Sequence, residues 1–195
     1  MSDDPITTPS ATRLEDAART AGDDRRLPPV HMWDPPLSGE MDMRIARDGT
    51  WYHEGAPINR PALVRLFSTI LRRDAEKDAG RYVLVTPVEK WAITVEDAPF
   101  VAVDFEARGA GEDQVLTFTT NVGDSVTAGP DAPLRVTRDG AEPAPYVLVR
   151  GDLEALIDRK SFYRLVELGA HRDGWFGIWT GGAFFEVIPS DEMRA

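Results

Sequence analysis

Cysteine is absent from all 195 residues, which removes disulfide scaffolds, thiolate nucleophiles and Cys-ligated metals together. Histidine is scarce: His31, His53 and His171 are the three. His31 falls in a proline-rich arm and His171 in a terminal turn, so no metal site is expected. No apolar run approaches the roughly 20 residues that span a bilayer. Met1-Ser2-Asp3-Asp4-Pro5 lacks the basic flank and apolar stretch of a secretion signal. The expectation is a cytoplasmic protein without membrane contact. Basic residues are outnumbered, 22 Lys and Arg against 33 Asp and Glu, for a formal charge of −11. That argues against a nucleic-acid polymer as partner, because phosphate neutralisation needs a clustered cationic excess. It does not exclude a local pocket where a few cations converge on one small anion.

Catalytic signatures are missing too. Gly109-Ala110-Gly111 has no helix after it, and Gly181-Gly182 sits within a hairpin, so neither is a phosphate loop. No Gly-x-Ser-x-Gly elbow occurs. The pairs Glu96-Asp97 and Glu112-Asp113 fall in loops, without the burial that raises a carboxylate pKa. His53 as a general base needs an orienting carboxylate, and Glu54 points to the opposite strand face. No catalytic residue and no cofactor are assigned.

What is present is a repeat. Arg44-Ile45-Ala46-Arg47-Asp48-Gly49 and Arg135-Val136-Thr137-Arg138-Asp139-Gly140 lie 91 positions apart. Each precedes a strand-like run and then an apolar stripe at helical spacing, the helices starting near Pro61 and Leu153. The reading is an α+β fold: an internal duplication of a ββαββ unit with intervening antiparallel strands. Its expected parts are a mobile N-terminal arm over 1–38, a first unit over 39–98, connecting strands over 99–131 and a second unit over 132–195.

Local signals fill in the plan. Thr12-Arg13-Leu14-Glu15 has the form of a capping box for a short helix through Ala21. Asp48-Gly49 predicts a two-residue hairpin turn that pairs Ala46 with Trp51 and Arg44 with His53. Asn59 is the expected N-cap of the first helix, with Pro61 in its first turn. That helix carries Leu63, Leu66, Phe67, Ile70 and Leu71 on one stripe and ends in Arg72 and Arg73. Strands are predicted at 82–85, 90–95, 100–108, 114–120, 146–149, 175–179 and 183–188. In the second unit a loop runs from Asp139 to Pro145. Asp152 is the expected helix cap there, and a stripe broken after Ile157 predicts a kink or two helices meeting near Arg159 to Ser161.

Several phrases resemble a bacterial family of unassigned activity, the domain-of-unknown-function family 1285. They are Met41-Asp42-Met43-Arg44-Ile45 with Asp48-Gly49-x-Trp51, Gly55-x-Pro57-Ile58-x-Arg60 and Leu84-Val85-Thr86-Pro87-Val88-Glu89-Lys90. Further matches are Thr120-Asn121-Val122-Gly123-Asp124, Pro145-Tyr146-Val147, Arg150-Gly151-x-Leu153-Glu154-Ala155-Leu156 and Phe162-Tyr163-x-Leu165-Val166-Glu167. The resemblance implies a duplicated α+β fold whose C-terminal half is loosely pleckstrin-homology-like. It also implies a ligand site between the halves for a nucleotide-like molecule, and a signalling role.

The residues themselves favour an anion beside aromatic surface. Arg60 stands at a helix start and Arg150 precedes the second helix, where backbone N–H groups and a partial positive charge favour anions. With Lys90 they would hold the anion, and Trp51 or Trp91 would stack on a ring. Asn121 would read polar edges. His53, Arg159 and Tyr163 complete the ligand-binding set, the last two lying four apart. The competing reading has these arginines bridging carboxylates such as Glu89, Glu154 or Glu167, and Trp51 packing in the core. The function expected is a non-enzymatic sensor for a small anionic, nucleotide-like ligand. The alternatives are a protein-interaction module with a protein partner and, further behind, an enzyme acting on a nucleotide or phosphorylated substrate.

Overall fold

A computed structural model describes residues 11–21, 27–74, 80–138 and 143–194. Parts of the arm expected over 1–38, and residues 139–142 of the loop expected from Asp139 to Pro145, lie outside them. The chain divides into two units: one holds the chain up to Ala46 with Thr50–Glu96, the other Arg47–Gly49 with the chain from Asp97 onward.

In the first unit, β1 (Leu37–Ile45) and β2 (Trp51–His53) form the hairpin that sets the register of the sheet. The Ala46 amide donates to Thr50 O at 2.9 Å, so the loop comprises Arg47, Asp48 and Gly49, with Gly49 at φ 84°. A three-residue loop with glycine in the left-handed region is a common hairpin closure. Ile45 therefore faces Trp51 and Arg44 faces Tyr52, one residue away from the expected pairing. A slip of one exchanges the faces of a strand. Trp51 consequently joins Met43 and Ile45 in the core, all three buried.

The unit continues through β3 (Ala56–Pro57), α2 (Pro61–Thr69), β4 (Leu71–Arg73), β5 (Tyr82–Val85) and β6 (Lys90–Val95). Arg60, not Asn59, is the N-cap of α2, in extended conformation and without a side-chain cap bond. The helix ends at Thr69, and Arg72 and Arg73 are strand residues paired with Val83 and Tyr82. Burial of Leu71 opposite Leu84 explains the early stop, since strand pairing places that side chain in the core. Preceding the sheet, α1 (Ala11–Ala21) begins one residue before Thr12 and packs on α2, burying Leu14 and Ala18. Sheet order is β3-β2-β1-β6-β5-β4, with β1 parallel to β6.

The second unit contains β7 (Phe100–Arg108), β8 (Val115–Thr120), β9 (Ser125–Thr127), β10 (Leu134–Thr137), β11 (Ala144–Arg150) and β12 (Leu153–Ile157). These make a sheet in the order β10-β11-β12-β7-β8-β9, with β12 parallel to β7. Counted along the chain, both sheets read third, second, first, sixth, fifth, fourth. The fold is α+β, with two similar six-stranded sheets, and an internal duplication fits it. Strand order makes β1 the counterpart of β7, so the two Arg-x-x-Arg-Asp-Gly phrases, one starting at the end of β1 and the other within β10, occupy different places in the repeat. Residues 99–131, expected as connecting strands, supply β7, β8 and β9 of the second sheet.

Leu153–Ile157 is a strand, not the helix expected there. Its burial alternates, with Leu153, Ala155 and Ile157 buried and Glu154 and Leu156 half-buried. Asp152 therefore caps nothing, and the predicted kink is a strand-to-helix junction. The helix α3 (Arg159–Val166) starts after Asp158, whose carboxylate accepts the Ser161 amide at 2.7 Å. A three-stranded sheet follows, β13 (Ala170–Arg172), β14 (Trp175–Thr180) and β15 (Ala183–Pro189). It is tied to the larger sheet at Thr180, whose Oγ1 accepts from Leu116 N at 3.0 Å and donates to Ala128 O at 2.8 Å.

Candidate functional site

An open groove of about 350 Å³ lies in the second unit, between the start of β11 and the N-terminal end of α3. Its apolar wall comes from Pro145, Leu156 and Phe162, and its cationic rim from Arg47 and Arg159, with Tyr163 beside them. Arg159 and Tyr163 share a helix face because they are four apart within α3. The Arg159 Nε donates to the Tyr163 hydroxyl at 3.1 Å, and its guanidinium carbon lies 5.7 Å from the ring centroid. Tyr163 is 58% exposed. Solvent-facing tyrosine beside a guanidinium presents a ring face and a donor-rich cation together.

Arg47 is tied to a relay that runs through the half-buried Asp97 and the buried Tyr146 to the exposed Arg135. Its Nε sits 3.0 Å from Asp97 Oδ2. Asp97 Oδ1 accepts from the Tyr146 hydroxyl at 2.7 Å. Arg135 lies over the Tyr146 ring at 4.3 Å and forks onto Glu154 at 2.9 and 2.7 Å. Burial, followed by the bond to Asp97, raises the Tyr146 pKa above its ordinary 10.0. The bond to Glu154 outweighs burial and raises the Arg135 pKa above the ordinary guanidinium value. The relay ties the exposed Arg47 to the groove through Asp97 and Tyr146.

Most of the residues proposed from sequence are engaged elsewhere. In the first unit, Trp51 is buried and stacks on Phe67 at 6.4 Å, and its Nε1 has no hydrogen-bond partner among the described residues. His53 stands opposite Met43 near the hairpin's open end. Arg60 is exposed and bridges Glu15 of α1 at 3.3 Å. Lys90 is buried against Asp74, its Nζ 2.9 Å from Oδ2. Trp91 is also buried and donates from Nε1 to Glu89 at 3.0 Å. In the second unit, Asn121 clasps backbone: it accepts from Val101 N at 3.0 Å and donates to Gly49 O at 3.3 Å. Arg150 pairs with Asp124 and lies 4.8 Å over the buried Phe100 ring. Only Arg159 and Tyr163 of the set line the groove. Arg47 was missed, although the repeated Arg-x-x-Arg-Asp-Gly phrase marks it and a turn tip is where a cation projects.

Among the described residues, no group of His, Asp and Glu is arranged to hold a metal ion, and no helix is long and apolar enough to cross a membrane.

The family description "Domain of unknown function (DUF1285), N-terminal domain" matches residues 28–98, and "Protein of unknown function (DUF1285), C-terminal domain" matches residues 99–187. The chain belongs to the DUF1285 family. A crystal structure of a DUF1285 family protein from Silicibacter pomeroyi DSS-3 is similar to it at 58% identity, covering 93% of this chain and 98% of that one, with a TM-score of 0.86. A DUF1285 family protein from Shewanella baltica OS155 is similar at 28% identity over 65% of this chain and 91% of that one, with a TM-score of 0.51. No curated protein matches. Membership of DUF1285 therefore brings fold and repeat with it, and leaves the groove to argue for the activity.

Proposed function

We propose that the protein is a non-enzymatic binding protein and sensor that takes a small anionic, nucleotide-like ligand in the Arg47–Arg159–Tyr163 groove. The observation that carries this reading is the convergence of two guanidinium groups and an exposed aromatic ring on one apolar wall. Ligand pockets are mostly apolar with a few placed polar groups, and span about 300–1,000 Å³; the groove meets both conditions. Guanidinium forks match phosphate oxygens in pairs, and Tyr163 offers a flat face for a ring. Asp97 and Asp158 temper the local charge, but Asp97 is bound to Tyr146 and Arg47, and Asp158 caps α3.

Thermal-shift titration of the full chain with mononucleotides and phosphorylated metabolites tests this. A ligand at a hundred times its dissociation constant adds about 2.7 kcal/mol of stability, so the melting temperature rises. The rise should vanish in Arg159→Ala. A rise unchanged in both Arg159→Ala and Arg47→Ala places the ligand elsewhere and overturns the assignment. Absence of any shift moves the reading to a protein-interaction module.

A further inference from the structure

Taking the ligand reading of the groove as its basis, we propose that recognition there is blind to base identity. The ligand is a phosphate monoester that carries a flat aromatic ring, a mononucleotide among them, held by its anionic head and by the face of that ring.

The argument starts from how the groove's polar groups are used. Reading a base edge requires donors and acceptors fixed along a wall. Here the wall at the start of β11 is Ala144 and Pro145 with Pro143 just before the strand, and proline has no amide donor. Ala144 is paired with Thr137 in the ladder, and its carbonyl accepts from Thr137 Oγ1 at 3.5 Å. Leu156 and Ile157 sit in strand pairs with Tyr146, Val101 and Ala102. Asp158 donates its amide to Ala102 O at 3.0 Å and accepts from Phe162 N at its carbonyl at 2.9 Å. Its carboxylate takes the Ser161 amide.

The side chains that the described lining sets around a ligand are therefore mainly cationic, aromatic or apolar: Arg47, which also holds Asp97, Arg159, which also holds the Tyr163 hydroxyl, the exposed Tyr163 ring, and apolar surface from Phe162, Leu156 and Pro145. Guanidinium groups select an anionic oxygen pair. Stacking on an aromatic face tolerates every base, because each has a π-face. The volume lies at the low end of the usual range for ligand pockets, about 300–1,000 Å³, which suits one ring and one phosphate rather than a dinucleotide. Selection then falls on charge and flatness, and the identity of the ring's edge atoms carries no weight.

Calorimetric titration of the full chain with AMP, GMP, CMP, UMP, naphthyl phosphate, ribose 5-phosphate and adenosine tests this directly. The four nucleotides and naphthyl phosphate should bind within about threefold of one another, while ribose 5-phosphate and adenosine bind at least about tenfold more weakly. Arg159→Ala should weaken all phosphate esters by a common factor. Tyr163→Leu should bring AMP down to the level of ribose 5-phosphate. Both side chains are exposed, so these variants retain the fold. A single base preferred by about tenfold or more, as an arginine forked onto guanine would give, overturns base-blindness and leaves the ligand site standing. Ribose 5-phosphate binding as tightly as AMP overturns the ring-stacking part. No binding across the panel removes this inference together with the reading beneath it.

Discussion

Asp74 and Lys90 form an ion pair sealed inside the first unit: Nζ lies 2.9 Å from Oδ2, and each side chain is 4% exposed. Arg72 reaches the same carboxylate at 2.5 Å and donates to Val30 O and Trp33 O at 2.7 and 2.6 Å. One buried carboxylate is thus shared by two cations, one on each oxygen, and one of those, Arg72, pins the segment before β1. Sequence reading had made Lys90 a ligand contact; its charge is instead spent within the fold.

Asp74→Ala strands two cations in the interior, and breaking a buried pair by removing one partner costs about 3–5 kcal/mol. Lys90→Met costs less, because Arg72 still holds Asp74. Urea denaturation of the two variants gives the comparison, and equal losses would show that Arg72 does not compensate. Acid adds a second readout. Burial pushes the Asp74 carboxyl up, but the bonds from Arg72 and Lys90 outweigh it, so its folded pKa lies below the ordinary 3.8. A depressed folded pKa gives stability that is complete above the unfolded value and is lost as pH falls through the folded one. Stability should therefore drop as pH falls below 3.8, with a shallower slope in Asp74→Asn.

The alkaline limb belongs to Tyr146. Its raised folded pKa, caused first by burial and then by the bond to Asp97, works in the opposite sense. The contribution is fully present below 10.0 and is lost as pH rises through the folded value. Thermal melts above that pH should fall in the native protein and flatten in Tyr146→Phe. The same substitution loosens Asp97 and with it Arg47, so ligand affinity should weaken at neutral pH, where no titration intervenes.

Trp51 separates volume from hydrogen bonding. Trp51→Ala opens a large cavity and should cost about 3–5 kcal/mol. Trp51→Phe keeps an aromatic ring against Phe67 and removes an unpartnered buried donor, whose desolvation costs about 1–3 kcal/mol. The loss of ring volume and the relief of that donor oppose each other. The Phe variant should fall within about 1.5 kcal/mol of the native protein by chemical denaturation. A loss matching Ala would mean that the indole nitrogen is satisfied in solution.

At Asp158, removal of the cap by Asp158→Ala leaves the Ser161 amide without its acceptor. The expected cost is about 1 kcal/mol, while Asp152→Ala, in the turn between β11 and β12, should leave the denaturation midpoint where it is. Because α3 carries Arg159 and Tyr163, fraying of its first turn should also weaken ligand binding in the Asp158 variant.

The legible parts of this chain were those where one residue type enforces one geometry. Asp48-Gly49 marked a hairpin, Pro61 a helix start, and Gly109 and Gly181-Gly182 their turns. The turn's length was not legible, since Asp-Gly serves loops of two or three residues, and that single residue puts Trp51 with Met43 and Ile45 in the core, as the competing reading of it has. Leu153, Leu156 and Ile157 fit a helix as well as a strand over five residues, so spacing alone could not arbitrate. The basic residues proposed as a site failed for a different reason. Arg150 and Lys90 lie among apolar neighbours because each has a buried or half-buried carboxylate opposite, and that partner is far away in sequence. Arg159 and Tyr163 line one groove because they are close in the chain, whereas Arg47 joins them only in the folded unit, which no spacing in the sequence shows.

Each six-stranded sheet joins its first strand to its last through the parallel pairs β1–β6 and β7–β12. The seam at the middle of the sheet is thus the contact of greatest separation along the chain, and its loop-closure entropy must be met before any reward. A nascent chain that has emerged only as far as β5 has two meander halves with open inner edges and nothing to join them. The strand that completes the sheet is also the last one synthesised. Each repeat should therefore fold late and all at once, and a chain stopped short of β6 or β12 is a target for strand-to-strand aggregation rather than a smaller stable domain.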